Sequence, residues 1–213
     1  MSLRRTTLLG VIAAVALAGC GGGDDDDQSA DLPEGCAEVE APAPKDVSAT
    51  QRKESLSEPT TAVVTTSCGV FEIELDVSRS PKTTASFAGL VEQGFYDGLA
   101  VPRIEPGFVI QTGDPKGDQT GGPGYFVDEP PPQDLSYTRG TVAMAKTAAE
   151  PPGRSGSQFF VVTAADAGLS PDYALLGRVT KGLDVVQRME ELGGPGGKPT
   201  APVVVESITL RGG

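Results

Sequence analysis

From residue 71 to 77 the chain reads F-E-I-E-L-D-V, with Phe71, Ile73, Leu75 and Val77 apolar and Glu72, Glu74 and Asp76 charged between them. A two-residue alternation of this kind predicts a strand with one face in a core and the other in water. A second β-rich run, residues 61–67, precedes it across Cys68-Gly69, a hairpin or bulge signal. The period then changes. Ser80 is a good N-cap type and Pro81 suits a first helical position; Phe87, Leu90 and Val91 recur at helical spacing, and Gly94 ends the run. Pro106-Gly107 predicts a tight turn. After it, Phe108, Ile110 and Thr112 should face one way and Val109, Gln111 and Gly113 the other. Residues 114–132 are crowded with Gly and Pro and predict a long surface loop of the kind that often borders a site. Further short strands are predicted at 140–145, 158–163, 174–179 (interrupted by Gly177) and 202–210. A second helix is predicted at 182–192, with Leu183, Val186 and Met189 on one side. About eight short strands and two helices have many sheet edges to hide, which points to a closed barrel with helices over its ends.

Composition narrows the chemistry. The 213 residues include 28 Gly and 18 Pro, which fits many turns and short elements. The net charge of -12 argues against a nucleic-acid partner. There is no histidine, which removes Ser-His-Asp and Cys-His catalysis and every histidine-based zinc site. The three cysteines, Cys20, Cys36 and Cys68, are too few for a Cys-only zinc site, so no metal or cofactor is expected. Gly197-Lys198 is not a phosphate loop, because Leu192 and Pro199 stand where the motif needs Gly and Ser or Thr. Arg154-Ser155-Gly156 is not a nucleophile elbow. Asp128-Glu129, ahead of three prolines, reads as a solvated turn rather than an acid/base pair.

The N-terminus has its own logic. Arg4 and Arg5 precede an apolar run, 8–18, of signal-peptide length and short for a membrane span. Leu17-Ala18-Gly19-Cys20 resembles a bacterial lipobox, which implies cleavage after residue 19 and lipid attachment at Cys20. A plain secretory signal or a short anchor helix are the alternatives. Residues 1–19 are thus read as a lipoprotein signal peptide, 20–59 as a flexible Gly/Asp/Pro-rich tether and N-terminal arm, and 60–213 as the folded domain. In an exported chain the remaining pair, Cys36 and Cys68, points to a disulfide stapling the arm to the first strands. The expected location is the outer face of a bacterial cytoplasmic membrane.

Five blocks then occur in order: R-I-E-P-G-F-V-I-Q-T-G-D, T-G-G-P-G-Y, G-T-V-A-M-A, G-S-Q-F-F-V-V-T and Y-A-L-L-G-R-V-T-K-G-L-D-V-V. Over residues 61–211 the chain resembles the cyclophilin peptidyl-prolyl isomerases. The resemblance implies a closed eight-stranded antiparallel barrel with a helix at each end, and an apolar groove on its outside that holds proline-containing polypeptides. By motif, Arg103 matches the catalytic arginine, with Gln111 and Gln158 beside it; Gln111 is expected to share the catalytic role by keeping the guanidinium aimed. Phe108, Val109, Phe160 and Leu169 match the wall of the proline pocket, Tyr173 a position that closes it, and Ala145, Lys146 and Thr147 a backbone shelf for the peptide. Departures are Pro102 for a frequent histidine, Lys146 for asparagine, Gly168 for tryptophan, and Glu105, expected to point to solvent. A monomer is expected. Two other readings stay open: a catalytically weak proline-peptide-binding chaperone or assembly module, and a structural envelope protein whose barrel is only a scaffold.

Overall fold

The computed structural model describes residues 32–212. Residues 1–19, read as a signal segment, Cys20, read as a lipid-attachment position, and the Gly/Asp run after it lie outside the described residues. Eleven strands follow in chain order: β1 Thr60–Thr66, β2 Gly69–Leu75, β3 Leu99–Ala100, β4 Arg103–Glu105, β5 Val109–Thr112, β6 Val127–Asp128, β7 Thr141–Met144, β8 Arg154–Ser155, β9 Phe159–Val162, β10 Leu175–Lys181 and β11 Val204–Gly212. The described residues also form two α-helices, α1 Pro81–Glu92 and α2 Leu183–Glu190, and a 3-10 turn, Pro195–Gly197, that follows α2.

Nine strands form one antiparallel sheet, ordered β3-β11-β1-β2-β10-β7-β9-β5-β4, and β6 pairs with β8 separately. The two edges of the large sheet are successive in the chain, separated only by Val101 and Pro102. Two intervening residues hold Ala100 and Arg103 within about 11 Å, so the sheet must curl until its edges approach. Across this seam the Thr112 hydroxyl donates to the Ala100 carbonyl at 2.8 Å. The barrel is therefore brought round by chain connectivity rather than by a continuous ladder. The strand count exceeds the expected eight because β3, β4, β6 and β8 are two- or three-residue pieces that carry too little periodicity to read from sequence.

The alternation in β2 does what its pattern requires. Phe71, Ile73 and Leu75 are buried, while Glu72 faces out to Lys181 and Arg211. In α1 every residue from Thr83 to Val91 is buried. Phe87 stacks 5.2 Å from Tyr96 and 5.6 Å, edge-on, from Phe159. In α2 it is Val185, Val186 and Met189 that are buried, with Leu183 only half so. Strand β10 runs through Gly177 instead of breaking there: its register against β7 skips Leu176, and a Cβ at 177 would lie 2.1 Å from the Glu74 carbonyl oxygen. Only glycine fits that close approach.

Two expectations are corrected. The Ser80 side chain makes no cap bond to α1. The carboxylate of Glu129 does so instead, accepting from the N–H groups of Lys82 and Thr83 at 3.0 and 2.7 Å. Its neighbour Asp128 takes two bonds from Arg154, at 2.8 and 2.9 Å, which hold its carboxyl below the usual range. Glu129 is thus a helix cap rather than a free carboxylate, whereas Asp128 stays at the solvated surface as expected, its side chain 57% exposed. The second correction concerns the arm. Residues 37–59 have no helix or regular strand, yet they are fastened along the domain as a strap. Cys36 is disulfide-bonded to Cys68, and Ala37 donates to the Ser67 carbonyl at 2.7 Å. Further on, Gln93 clasps the Thr50 backbone with two bonds of 2.9 Å, and Arg52 pairs with Glu92.

Candidate active site

The register of the sheet places four side chains in one row. Arg103 of β4 is opposite Gln111 of β5, Gln111 is opposite Phe160 of β9, and Phe160 is opposite Ala143 of β7. Cross-strand partners share a face, and this face is the outer one. The neighbouring row, Ile104, Ile110, Val161 and Val142, points into the barrel core. Adjacent phenylalanines therefore separate: Phe159 enters the core and Phe160 the outer cluster. That second apolar cluster contains buried Val109, Tyr137, Ala143, Phe160 and Val162, with half-buried Phe108, Ala145, Leu169 and Tyr173 against it. Phe108 joins Val109 here rather than Ile110. It ends a turn, closed by Phe108 N–H to Glu105 O at 3.0 Å with Gly107 at φ 72°, and the strand starts only at Val109, so the two-residue period does not reach it.

Of this cluster, Phe108, Val109, Ala145, Phe160, Leu169 and Tyr173 line one groove of about 950 Å³. All eleven positions singled out by motif border it: Arg103, Phe108, Val109, Gln111, Ala145, Lys146, Thr147, Gln158, Phe160, Leu169 and Tyr173. The Arg103 guanidinium lies 5.7 Å from the Phe108 ring centre and 3.9 Å from the Glu105 carboxylate, its side chain 30% exposed. Glu105 lies on the same outer face as Arg103, because residues two apart on a strand share a face, and its side chain is 40% exposed to solvent, as expected. Gln111 does not hold the arginine. Its amide donates to Gln158 at 2.8 Å, and Gln158 in turn donates to the Gly121 carbonyl at 2.8 Å.

The shelf residues are not equivalent. Ala145 N–H is taken by the Gln158 carbonyl at 2.8 Å. Thr147 N–H goes to the Glu150 carboxylate at 2.6 Å, and its carbonyl accepts from the Lys146 ammonium at 3.1 Å. Among the described residues the main-chain N–H and C=O of Lys146 make no bond, so they are the groups open to an extended peptide. Lys146 also sits over the Tyr173 ring, 5.5 Å from its centre.

Tyr137 and the strap carried no sequence signal. Tyr137, fully buried, lies behind the groove wall against Phe160 and Tyr173: its hydroxyl donates to Tyr173 O at 2.6 Å and accepts from Tyr173 N–H at 3.0 Å. Burial pushes that hydroxyl up to about 12, against the Tyr173 bond, which lowers it. The Gly- and Pro-rich loop, marked in the sequence, contributes residues 119–126 to the lining, and the unmarked strap adds Asp46, Val47 and Ser48. A lone tyrosine outside any periodic run, and an arm poor in large apolar residues, gave nothing to mark them.

Residues 61–210 match the family model for cyclophilin type peptidyl-prolyl cis-trans isomerases. The chain belongs to the cyclophilins. A peptidyl-prolyl cis-trans isomerase-like 1 of Aspergillus oryzae is 39% identical over 128 residues, 58% of this chain and 78% of its own length. A probable peptidyl-prolyl cis-trans isomerase B of Mycobacterium leprae is 36% identical over 169 residues, 70% of this chain and 56% of its own length. Among solved structures, a Cryptosporidium parvum cyclophilin crystallised in the presence of the dipeptide Ala-Pro superposes with a TM-score of 0.66 at 27% identity, covering 72% of this chain and 99% of its own. The fold is cyclophilin-like, mainly β with two helices, and the activity of this cyclophilin is peptidyl-prolyl cis-trans isomerisation.

Proposed function

We propose that this cyclophilin turns X-Pro bonds in polypeptides folding outside the cytoplasm, with Arg103 as its catalytic group and Cys20 as a lipid anchor at the outer face of a bacterial cytoplasmic membrane. The observation that carries the site assignment is the row Arg103-Gln111-Phe160-Ala143, one cation at the edge of an apolar bed. The location rests on the signal-like start, the lipobox resemblance and the Cys36–Cys68 disulfide, a bond favoured in oxidising compartments.

The chemistry needs no nucleophile. Rotation is opposed by amide resonance, a barrier of about 18–20 kcal/mol. The twisted state has a pyramidal prolyl nitrogen with a free lone pair. Arg103 hydrogen-bonds that state more strongly than the planar amide, which is the differential binding that lowers a barrier. Phe108, Val109, Phe160, Leu169 and Tyr173 hold the pyrrolidine ring, and the open main-chain groups of Lys146 pair with the peptide, so the preceding residue turns against a fixed anchor. The test is exchange NMR on an Ala-Pro peptide with the full chain and with Arg103→Ala. The variant should lose rate by about 10²–10³-fold with little change in peptide affinity. Binding without acceleration by the unmodified protein would establish a proline-peptide-binding module instead.

A further inference from the structure

We propose that the strap is part of the substrate site: residues 45–50 add Val47 to the groove, where with Phe126 it forms an apolar contact for a side chain several residues from the proline. The inference rests on the isomerase reading above and extends it from the reacting bond to the length and character of the substrate.

Three observations converge. First, the strap is fixed where it meets the groove. Lys45 N–H bonds the Pro115 carbonyl at 2.7 Å and Ala49 N–H bonds the Pro123 carbonyl at 3.0 Å. Asp46, Val47 and Ser48 span the interval and line the groove. Just beyond, Gln93 and Glu92 hold Thr50 and Arg52. Second, the contact joins the row at the heart of the site. The strap holds the loop at Pro123, the same loop accepts from Gln158 at Gly121, and Gln158 is bonded to Gln111 beside Arg103. Third, the exposed apolar surface is concentrated there. Among the described residues only three large hydrophobic side chains are exposed: Val47 at 38%, Phe126 at 59% and Val70 at 47%. Two of the three border the groove. In the loop that carries Phe126, a Cβ at Gly122 would meet nothing within 4 Å, and one at Gly124 would meet only the strap, at Ser48 Cβ, 3.5 Å away.

The strap precedes residues 61–210, the part that matches the family model, so this wall is a feature of the present chain. The fitting occupant is an unfolded polypeptide that places a proline in the Phe160 bed and, further along, an aliphatic or aromatic side chain against Val47 and Phe126.

The experiment uses the full chain and eleven-residue peptides with one central proline, in which a single Leu or Ser is walked through the flanking positions. Turnover gives KM and titration calorimetry gives affinity. At one register Leu should bind about five- to tenfold tighter than Ser. Val47→Glu and Phe126→Ala should each remove that preference, whereas Val70→Glu, on the exposed face of β2, should keep it. No position at which Leu improves affinity, or a preference that survives Val47→Glu, overturns the proposal. A short Ala-Pro peptide run alongside reports the isomerase reading separately: failure there leaves the Leu-against-Ser affinities still able to decide the role of the strap.

Discussion

Lys146 shows how one residue divides its labour. Its ammonium is occupied with the carbonyls of Thr147 and Glu150, each at 3.1 Å, while its main chain is open. Lys146→Ala should therefore leave peptide affinity within about twofold, whereas Lys146→Pro, which removes the N–H, should raise KM by about fivefold or more, as expected for one lost hydrogen bond. Titration of peptide binding separates the two. Tyr137 predicts a pH response. Its hydroxyl is raised in the folded state to about 12 from an ordinary value near 10, and burial pushes Tyr96 up as well. A raised value means stability that is fully present below about pH 10 and lost as pH climbs toward 12. Denaturant midpoints across that range should fall for the unmodified protein and fall less steeply for Tyr137→Phe. Neither behaviour was readable in the sequence. Arg103, Gln111 and Phe160 were marked by their strand blocks, but whether a main-chain group is left free depends on how its neighbours are bonded, and the burial of Tyr137 depends on a partner 36 residues away.

At the level of elements, period was a good guide where a run was long. The alternation in β2, the helix after Ser80 and the split of Phe159 from Phe160 all follow from side chains repeating every two or 3.6 residues. It failed at the ends. Glu129, not Ser80, caps α1, and the capping donor-acceptor pairs are 46 and 47 residues apart, beyond any local pattern. Glu129→Ala should lower unfolding stability by about 1 kcal/mol, as for loss of other caps, while Ser80→Ala should cost less than that through capping. The two phenylalanines make a paired test. Phe159→Ala empties the core between Phe87 and Tyr96 and should cost about 3–5 kcal/mol. Phe160→Ala, on the outer cluster, should act mainly on KM. Thermal melts and peptide kinetics on the same two proteins check the distinction.

For the whole molecule, the strap and the sheet are one closed system. The Cys36–Cys68 bond ties the arm to the β1–β2 corner across a sequence separation of 32. Replacing both cysteines by serine should lower stability by about 3–4 kcal/mol in the chain-entropy model, read as a fall in denaturant midpoint. The sheet order has a consequence for how the chain is made. Strand β1 lies between β2, the next element in the chain, and β11, the last. Its far ladder runs from Thr60 opposite Gly212 to Thr66 opposite Val205. A chain that emerges N-terminus first can form its opening hairpin at once, but one edge of that hairpin stays bare until the final ten residues arrive. Such long-range pairing is slow, and an unpaired strand edge invites other chains. An enzyme that turns X-Pro bonds thus completes its own sheet only when β11 pairs with β1.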